Sequence, residues 1–141
     1  MKGFLIDTNV LSELRKGARA DVNVRRWFAG IDESSIFLSV LVTGELRHGI
    51  ESIRKRDPRA ASALERWLDI VMEAHSERIL PIDASTADEW GKLDARGSLP
   101  VVDGLLAATA RVHDLTLVTR NVKDVVRTGV DLLDPFAPTA Q

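Results

Sequence analysis

Apolar positions in this chain fall into short continuous runs that alternate with longer stretches of helical spacing. Phe4-Leu5-Ile6 is closed by Asp7-Thr8-Asn9, which reads as a buried strand leaving through a turn into a helix near 9–16, with Gly17 as its stop. Val22, Val24, Trp27 and Phe28 predict a second helix around 21–29. Ser35-Ile36-Phe37-Leu38-Ser39 reads as a strand. Ser39 is placed to cap a helix over roughly 40–56, whose apolar stripe is Val42, Leu46, Ile50 and Ile53. Asp57-Pro58 opens another helix, with Ala60, Ala61, Leu64, Trp67, Leu68 and Val71 at helical spacing. Ile79-Leu80-Pro81-Ile82 is a short extended piece, 85–96 a helix and 97–100 a loop. The stretch 102–112, nearly continuous in apolar and small residues, predicts a buried helix. Leu115-Thr116-Leu117-Val118-Thr119 is the clearest strand, and Asp131-Leu132-Leu133 predicts a last one before a proline-containing tail from about 135.

Strands separated by helices imply a mostly parallel central sheet flanked by helices on both faces, an α/β architecture. A length of 141 residues suits one domain spanning 1–141, and no internal repeat, low-complexity segment or linker divides it. Trp27, Trp67 and Trp90 sit within helical patterns, as core residues do.

Composition narrows the chemistry. The absence of cysteine excludes disulfides, thiolate zinc sites and cysteine nucleophiles, and fits a reducing cytoplasm. The chain reaches Asp7 too soon for a signal peptide, and no apolar run approaches the ~20 residues of a membrane span, so neither secretion by that route nor a membrane partner is expected. A net charge of -2 conceals an asymmetry: residues 1–66 carry 12 Lys/Arg against 9 Asp/Glu, and residues 67–141 carry 7 against 12. The basic segment Arg47, Arg54, Lys55, Arg56 and Arg59 follows Glu45 and has two readings, a phosphate-holding surface or a solvated helix end with snorkelling side chains.

Four carboxylates lie beside apolar segments: Asp7 after the first strand, Glu45 on the border of an apolar helical stripe, Asp103 at the start of the buried helix, and Asp124 in a polar turn after the strand ending at Thr119. In an open α/β sheet, ligands bind beyond the carboxyl ends of the strands at the point where strand order reverses. If the first and the 115–119 strands are neighbours, Asp7, Asn121 and Asp124 meet at one edge, and Asp103 can face the same place. Each acid taken singly has a simpler role: Asp7 and Asp103 as helix-start acids, Glu45 and Asp124 as solvated surface groups. Together they would raise one another's pKa unless a cation joined them. Hard divalent ions such as Mg2+ take oxygen ligands, and beside a phosphodiester they activate water and stabilise the leaving oxygen. Metal-dependent hydrolysis of nucleic acid is therefore the first reading. No phosphate loop, dinucleotide-binding glycine pattern, nucleophile elbow or His-Glu-x-x-His zinc motif is present, and His48, His75 and His113 are far apart in sequence.

The string from Phe4 to Leu14, with Ser39-Val40 to Gly44-Glu45-Leu46, Leu99-Pro100-Val101-Val102-Asp103 to Ala110, and Leu117 to Asp124, resembles the PIN-domain toxins of the VapC and FitB type. The likeness runs from residue 4 to about 135. It implies a toxin of a type II toxin-antitoxin pair: a Mg2+- or Mn2+-dependent endoribonuclease acting on RNA in the cytoplasm, a homodimer, held inactive by a small antitoxin that inserts near the active site. By position it also implies that Asp7, Glu45, Asp103 and Asp124 form the acidic metal-binding set, supported by Asn9, Thr119 and Asn121. Arg47, Arg120 and Lys123 are candidate contacts to RNA phosphates. Two positions depart from the family pattern: Val125 follows the last acid where an aromatic residue is common, and Gly104 follows the third where alanine is usual. Two alternatives stand beside this reading. A haloacid-dehalogenase-like phosphohydrolase would need an aspartate at position 9, which is Asn, and a catalytically silent PIN-like binding subunit would be expected to lose acids.

Overall fold

Phe4–Ile6 forms strand β1, and Asp7 ends it by turning its side chain onto the Thr8 amide to start helix α1, Thr8–Leu14. This computed structural model describes residues 2–138; Met1 and the end of the proline-containing tail, 139–141, lie outside the described residues. Helix α2 (Val22–Ala29) follows, capped by Asp21. Strand β2 (Ile36–Ser39) then passes into α3 (Val40–Ile53), with the Ser39 hydroxyl accepting the Leu41 amide at 3.0 Å. Next come α4 (Pro58–Ala74), opened by Asp57 with Pro58 in its first turn, and β3 (Ile79–Leu80). Helices α5 (Ala84–Ala95) and α6 (Val101–Val112) lead to β4 (Thr116–Val118). The chain then forms the one-turn helix α7 (Val122–Val125) and β5 (Leu132–Leu133).

All pairings are parallel, in the order β3-β2-β1-β4-β5. Consecutive residues on a strand point to opposite faces. Because Leu5 and Ile6 of β1 and Leu117 and Val118 of β4 are all buried, both faces of the sheet centre are covered. The run Leu106 to Ala110 of α6 is fully buried as well, which is why that segment reads as continuously apolar. A smaller cluster of Ile50, Ala61 and Leu68, flanked by Leu46, Ile53, Leu64 and Trp67, joins α3 to α4. All three tryptophans pack against these clusters.

Most expected elements stand within one or two residues of their expected limits. The exceptions are instructive. Helix α3 stops at Ile53, three residues short of the expected limit, where the chain turns toward the Asp57 cap of α4. Asn121 to Asp124, expected as a polar turn, instead enters α7, and Val125 at 1% exposure supplies the reason. Its side chain is drawn into the core and winds the preceding residues into a turn of helix. Leu117 on β4 is fully buried between the central strand and β5. Leu117→Ala should lower unfolding free energy in urea by about 2–5 kcal/mol, the range for an unrelaxed core cavity.

Candidate active site

Strand order reverses between β1 and β4. From β1 the chain builds outward through β2 to β3, then crosses back to add β4 and β5 on the other side. The crevice beyond the carboxyl ends of these two strands is therefore the expected ligand site. Asp7 directly follows β1 and Thr119 directly follows β4, with Ile6 paired to Val118.

Asp7 is 6% exposed and tightly held. Its Oδ1 accepts the Thr8 amide at 2.7 Å, and its Oδ2 accepts the Thr119 hydroxyl at 2.7 Å and the Asn9 side-chain amide at 3.4 Å. Burial pushes its carboxyl above the ordinary value; the bonds from Thr119 and the Thr8 amide oppose that shift, and the charge of Glu45 adds to it. Asp103, in the first turn of α6, is half-buried and also raised. Burial is its largest cause, followed by the charges of Asp7, Asp124 and Glu45 in that order. All four carboxylates thus share one electrostatic neighbourhood.

Glu45 is exposed on α3, and its Oε1 accepts the Thr8 hydroxyl at 2.6 Å. Asp124 is exposed on α7. The three supporting polar residues join the two strand ends. Thr119 Oγ1, besides donating to Asp7, accepts the Asn121 amide at 3.0 Å, and Asn9 Oδ1 accepts the Arg120 amide at 3.3 Å. Thr8 joins the site from outside the candidate residues of the sequence, where a hydroxyl directly after the strand-end acid, at a helix start, is the signal that points to it.

The cationic candidates divide. Arg120 sits over the Phe136 ring at 4.4 Å, and Lys123 is exposed with no ion-pair partner among the described residues. Arg47 instead donates to Glu51 at 3.1 Å and Glu65 at 2.6 Å, and Arg54 bonds the same two acids. Glu51 is held down to about 2 by Arg54 and Arg47. The basic segment after Glu45 is thus partly neutralised within the α3–α4 hairpin. None of the three histidines bonds to any of the four acids: His75 holds the Val71 carbonyl at 2.8 Å, and His48 and His113 are exposed.

Among the described residues, no three carboxylate or imidazole groups converge closely enough to enclose a metal ion with the side chains as they lie. The donor set nonetheless fits a hard divalent cation. Mg2+ keeps several waters and takes only one or two carboxylates directly, so a wide cluster of oxygen donors around one fixed acid suits it. Asp7 is that fixed acid; Glu45 and Asp124, both exposed, have room to turn toward an ion.

A family model described as PIN domain matches residues 4–128. One relative, the VapC ribonuclease Y4jK of Sinorhizobium fredii, is 30% identical over 140 residues, which covers 96% of this chain and 99% of its own. Toxin FitB of Neisseria gonorrhoeae is 26% identical, covering 94% and 98%. Among solved structures, FitAcB from Neisseria gonorrhoeae superposes with a TM-score of 0.72 at 24% identity, over 94% of this chain and 98% of that one. DNA-bound VapBC from Salmonella typhimurium gives 0.70 at 24% identity, over 96% and 99%. These two structures establish the likeness of fold.

A raised carboxyl pKa means that the folded state holds its proton more tightly than the unfolded chain. The contribution of Asp103 therefore costs nothing below its ordinary value near 3.8 and destabilises the fold progressively as pH rises through the raised value. In EDTA, Asp103→Asn should melt above wild type at pH 7, and the gap should close near pH 3.5. Equal melting temperatures at pH 7 would show that neither burial nor the neighbouring acids raise this carboxyl.

Proposed function

The chain belongs to the PIN domain family, and from that premise we propose that it is a divalent-metal-dependent endoribonuclease, the toxin of a type II toxin-antitoxin pair. The observation that carries this reading is the switch-point acid Asp7, linked to Glu45 through Thr8, with the charges of Asp7, Asp124 and Glu45 all acting on Asp103. The likeness to a VapC ribonuclease supports RNA as the substrate, and we place the action in the cytoplasm. Asn9 speaks against the haloacid-dehalogenase alternative: its amide donates to Asp7, where that chemistry requires a second acid. Retention of all four acids speaks against a silent binding subunit.

In this mechanism Asp7, Glu45 and Asp103 would hold Mg2+ or Mn2+. When bound, such an ion polarises a phosphoryl oxygen and lowers the pKa of water. Asp7 is pre-oriented by its donors from Thr8, Asn9 and Thr119, so its oxygens need little rearrangement. Asp124, on α7, would orient the attacking water or support a second ion. Asn121 opens the turn that carries it, and its own amide donates to Thr119 Oγ1. Arg120 and Lys123, on either side of Asn121, attract the RNA phosphates; Arg47 contributes less, because two carboxylates already engage it.

We assign inhibition to a small antitoxin that lies along an apolar groove of about 320 Å³ between α1, α3 and α4. Leu46, Ile53, Leu64 and Trp67 line it, and Thr8 and Glu45 stand at its edge, so an occupant reaches the acidic centre. A homodimer is the assembly we expect for the toxin.

Asp103→Asn deletes one charge at constant size, and it should slow single-turnover RNA cleavage on the order of 10²–10³-fold, the scale for losing one electrostatic stabiliser. It should also relieve growth arrest while the protein stays folded; full toxicity of the folded variant would sink the assignment. Co-expressing the small protein encoded beside the toxin gene should restore growth, and failure of both flanking genes to do so would count against the toxin role. Asp124→Ala should lose less activity than Asp7→Ala and recover part of it as Mn2+ is raised. Wild-type rates across that titration, with Asp114→Ala as control, would leave a three-carboxylate centre.

A further inference from the structure

Thr8 touches two of the four acids at once. Its amide donates to Asp7 Oδ1 at 2.7 Å and its hydroxyl to Glu45 Oε1 at 2.6 Å. Among the described residues it is the sole hydrogen-bond donor to the Glu45 carboxylate. Among the described residues no other hydrogen bond or ion pair holds that side chain: Glu45 is exposed, and a Cβ added at Gly44 or Gly49, its neighbours on α3, would meet open space. A long, flexible carboxylate in such surroundings samples many rotamers.

Thr8 itself is rigid for two reasons. As the first residue of α1 it has its amide committed to the helix-start acid, and as a β-branched residue it has few χ1 choices. Its hydroxyl direction is therefore set by the α1 backbone, which is set in turn by the end of β1. We propose that Thr8 is a positioning residue for the acidic centre: it ties Glu45, carried on α3, to Asp7, carried by the sheet, and so presets the spacing of two ligands of the metal ion. The proposal rests on the metal-centre reading above. With Oε1 held by the Thr8 hydroxyl, Oε2 is the Glu45 oxygen left without a donor among the described residues. Hydrogen-bonded partners of ligating side chains commonly govern metal affinity by about 10–100-fold, without contacting the metal.

The test is Mn2+ binding to the purified full-length chain, read from the free-ion EPR signal, for wild type, Thr8→Val, Thr8→Ser and Glu45→Gln. Thr8→Val keeps the branched shape and deletes the hydroxyl; it should weaken Mn2+ binding by about 10-fold, with cleavage recovering at saturating Mn2+. Thr8→Ser restores the hydroxyl and should recover most of the affinity. In a Glu45→Gln background, Thr8→Val should have little further effect. If Thr8→Val fails to fold by circular dichroism, Thr8→Ala carries the same comparison. Wild-type affinity in Thr8→Val, with Glu45→Gln weakened, would overturn the role of Thr8 alone. A wild-type chain that binds no Mn2+, or one indifferent to Glu45→Gln, would overturn the metal centre and this proposal with it.

Discussion

The parallel pairing of β1 with β4 is the constraint on which the rest of the molecule depends. It runs one residue past the end of β1, because the Asp7 amide donates to the Val118 carbonyl at 2.9 Å. Asp7 is thus fixed by the same ladder that fixes Leu5, Ile6, Leu117 and Val118 in the core. Burying a carboxylate is costly unless donors surround it. Here the donors come from both strand ends: Thr8 and Asn9 after β1, and Thr119 after β4. Any slip of β4 against β1 would remove Thr119 from Asp7, so hydrophobic register and polar satisfaction select the same pairing.

Gathering three more acids around Asp7 works against folding, and the apolar packing of α6 holds the arrangement in place. Full burial of a leucine such as Leu106 contributes about 1.5–3 kcal/mol, and α6 adds the buried Ala107, Ala108, Thr109 and Ala110. Asp103 rides on the first turn of that anchored helix and cannot move away from its neighbours without moving the core. Gly104 belongs to this packing. A Cβ there would come within 3.0 Å of Trp90, so the departure from the alanine usual in the family matches a close approach between α5 and α6. Carboxylates that raise one another's pKa are a natural complement to a cation, which ties the electrostatics of the site to its proposed chemistry.

The cationic side chains show why charge counts along a chain are a poor guide to where anions bind. The segment after Glu45 is the most basic in the sequence, yet Arg47 and Arg54 close onto Glu51 and Glu65 across the α3–α4 hairpin. Glu51 lies one helical turn from Arg47, and Glu65 is brought in only by the pairing of the two helices. Arg120 and Lys123, by contrast, adjoin Thr119 and Asp124 in sequence, and Arg120 sits over the Phe136 ring.

The sequence by itself determined the alternation of strands and helices, and hence the parallel α/β class. Hydrophobic periodicity is a local property, and caps such as Asp7, Ser39 and Asp57 act on neighbouring amides. It also marked the four acids as candidates, since each interrupts or borders an apolar segment. Their meeting was conditional on two strands being neighbours, and strand order arises from contacts more than a hundred residues apart. Tertiary structure decided that adjacency. It also turned the expected polar turn at Asn121 to Asp124 into helix by burying Val125, committed Arg47 to Glu65, and brought Thr8 to Glu45 across 37 positions of chain. In each case the deciding energy is the burial of a side chain or a charge–partner contact between elements remote in sequence. Such an energy has no signature in a short window of sequence.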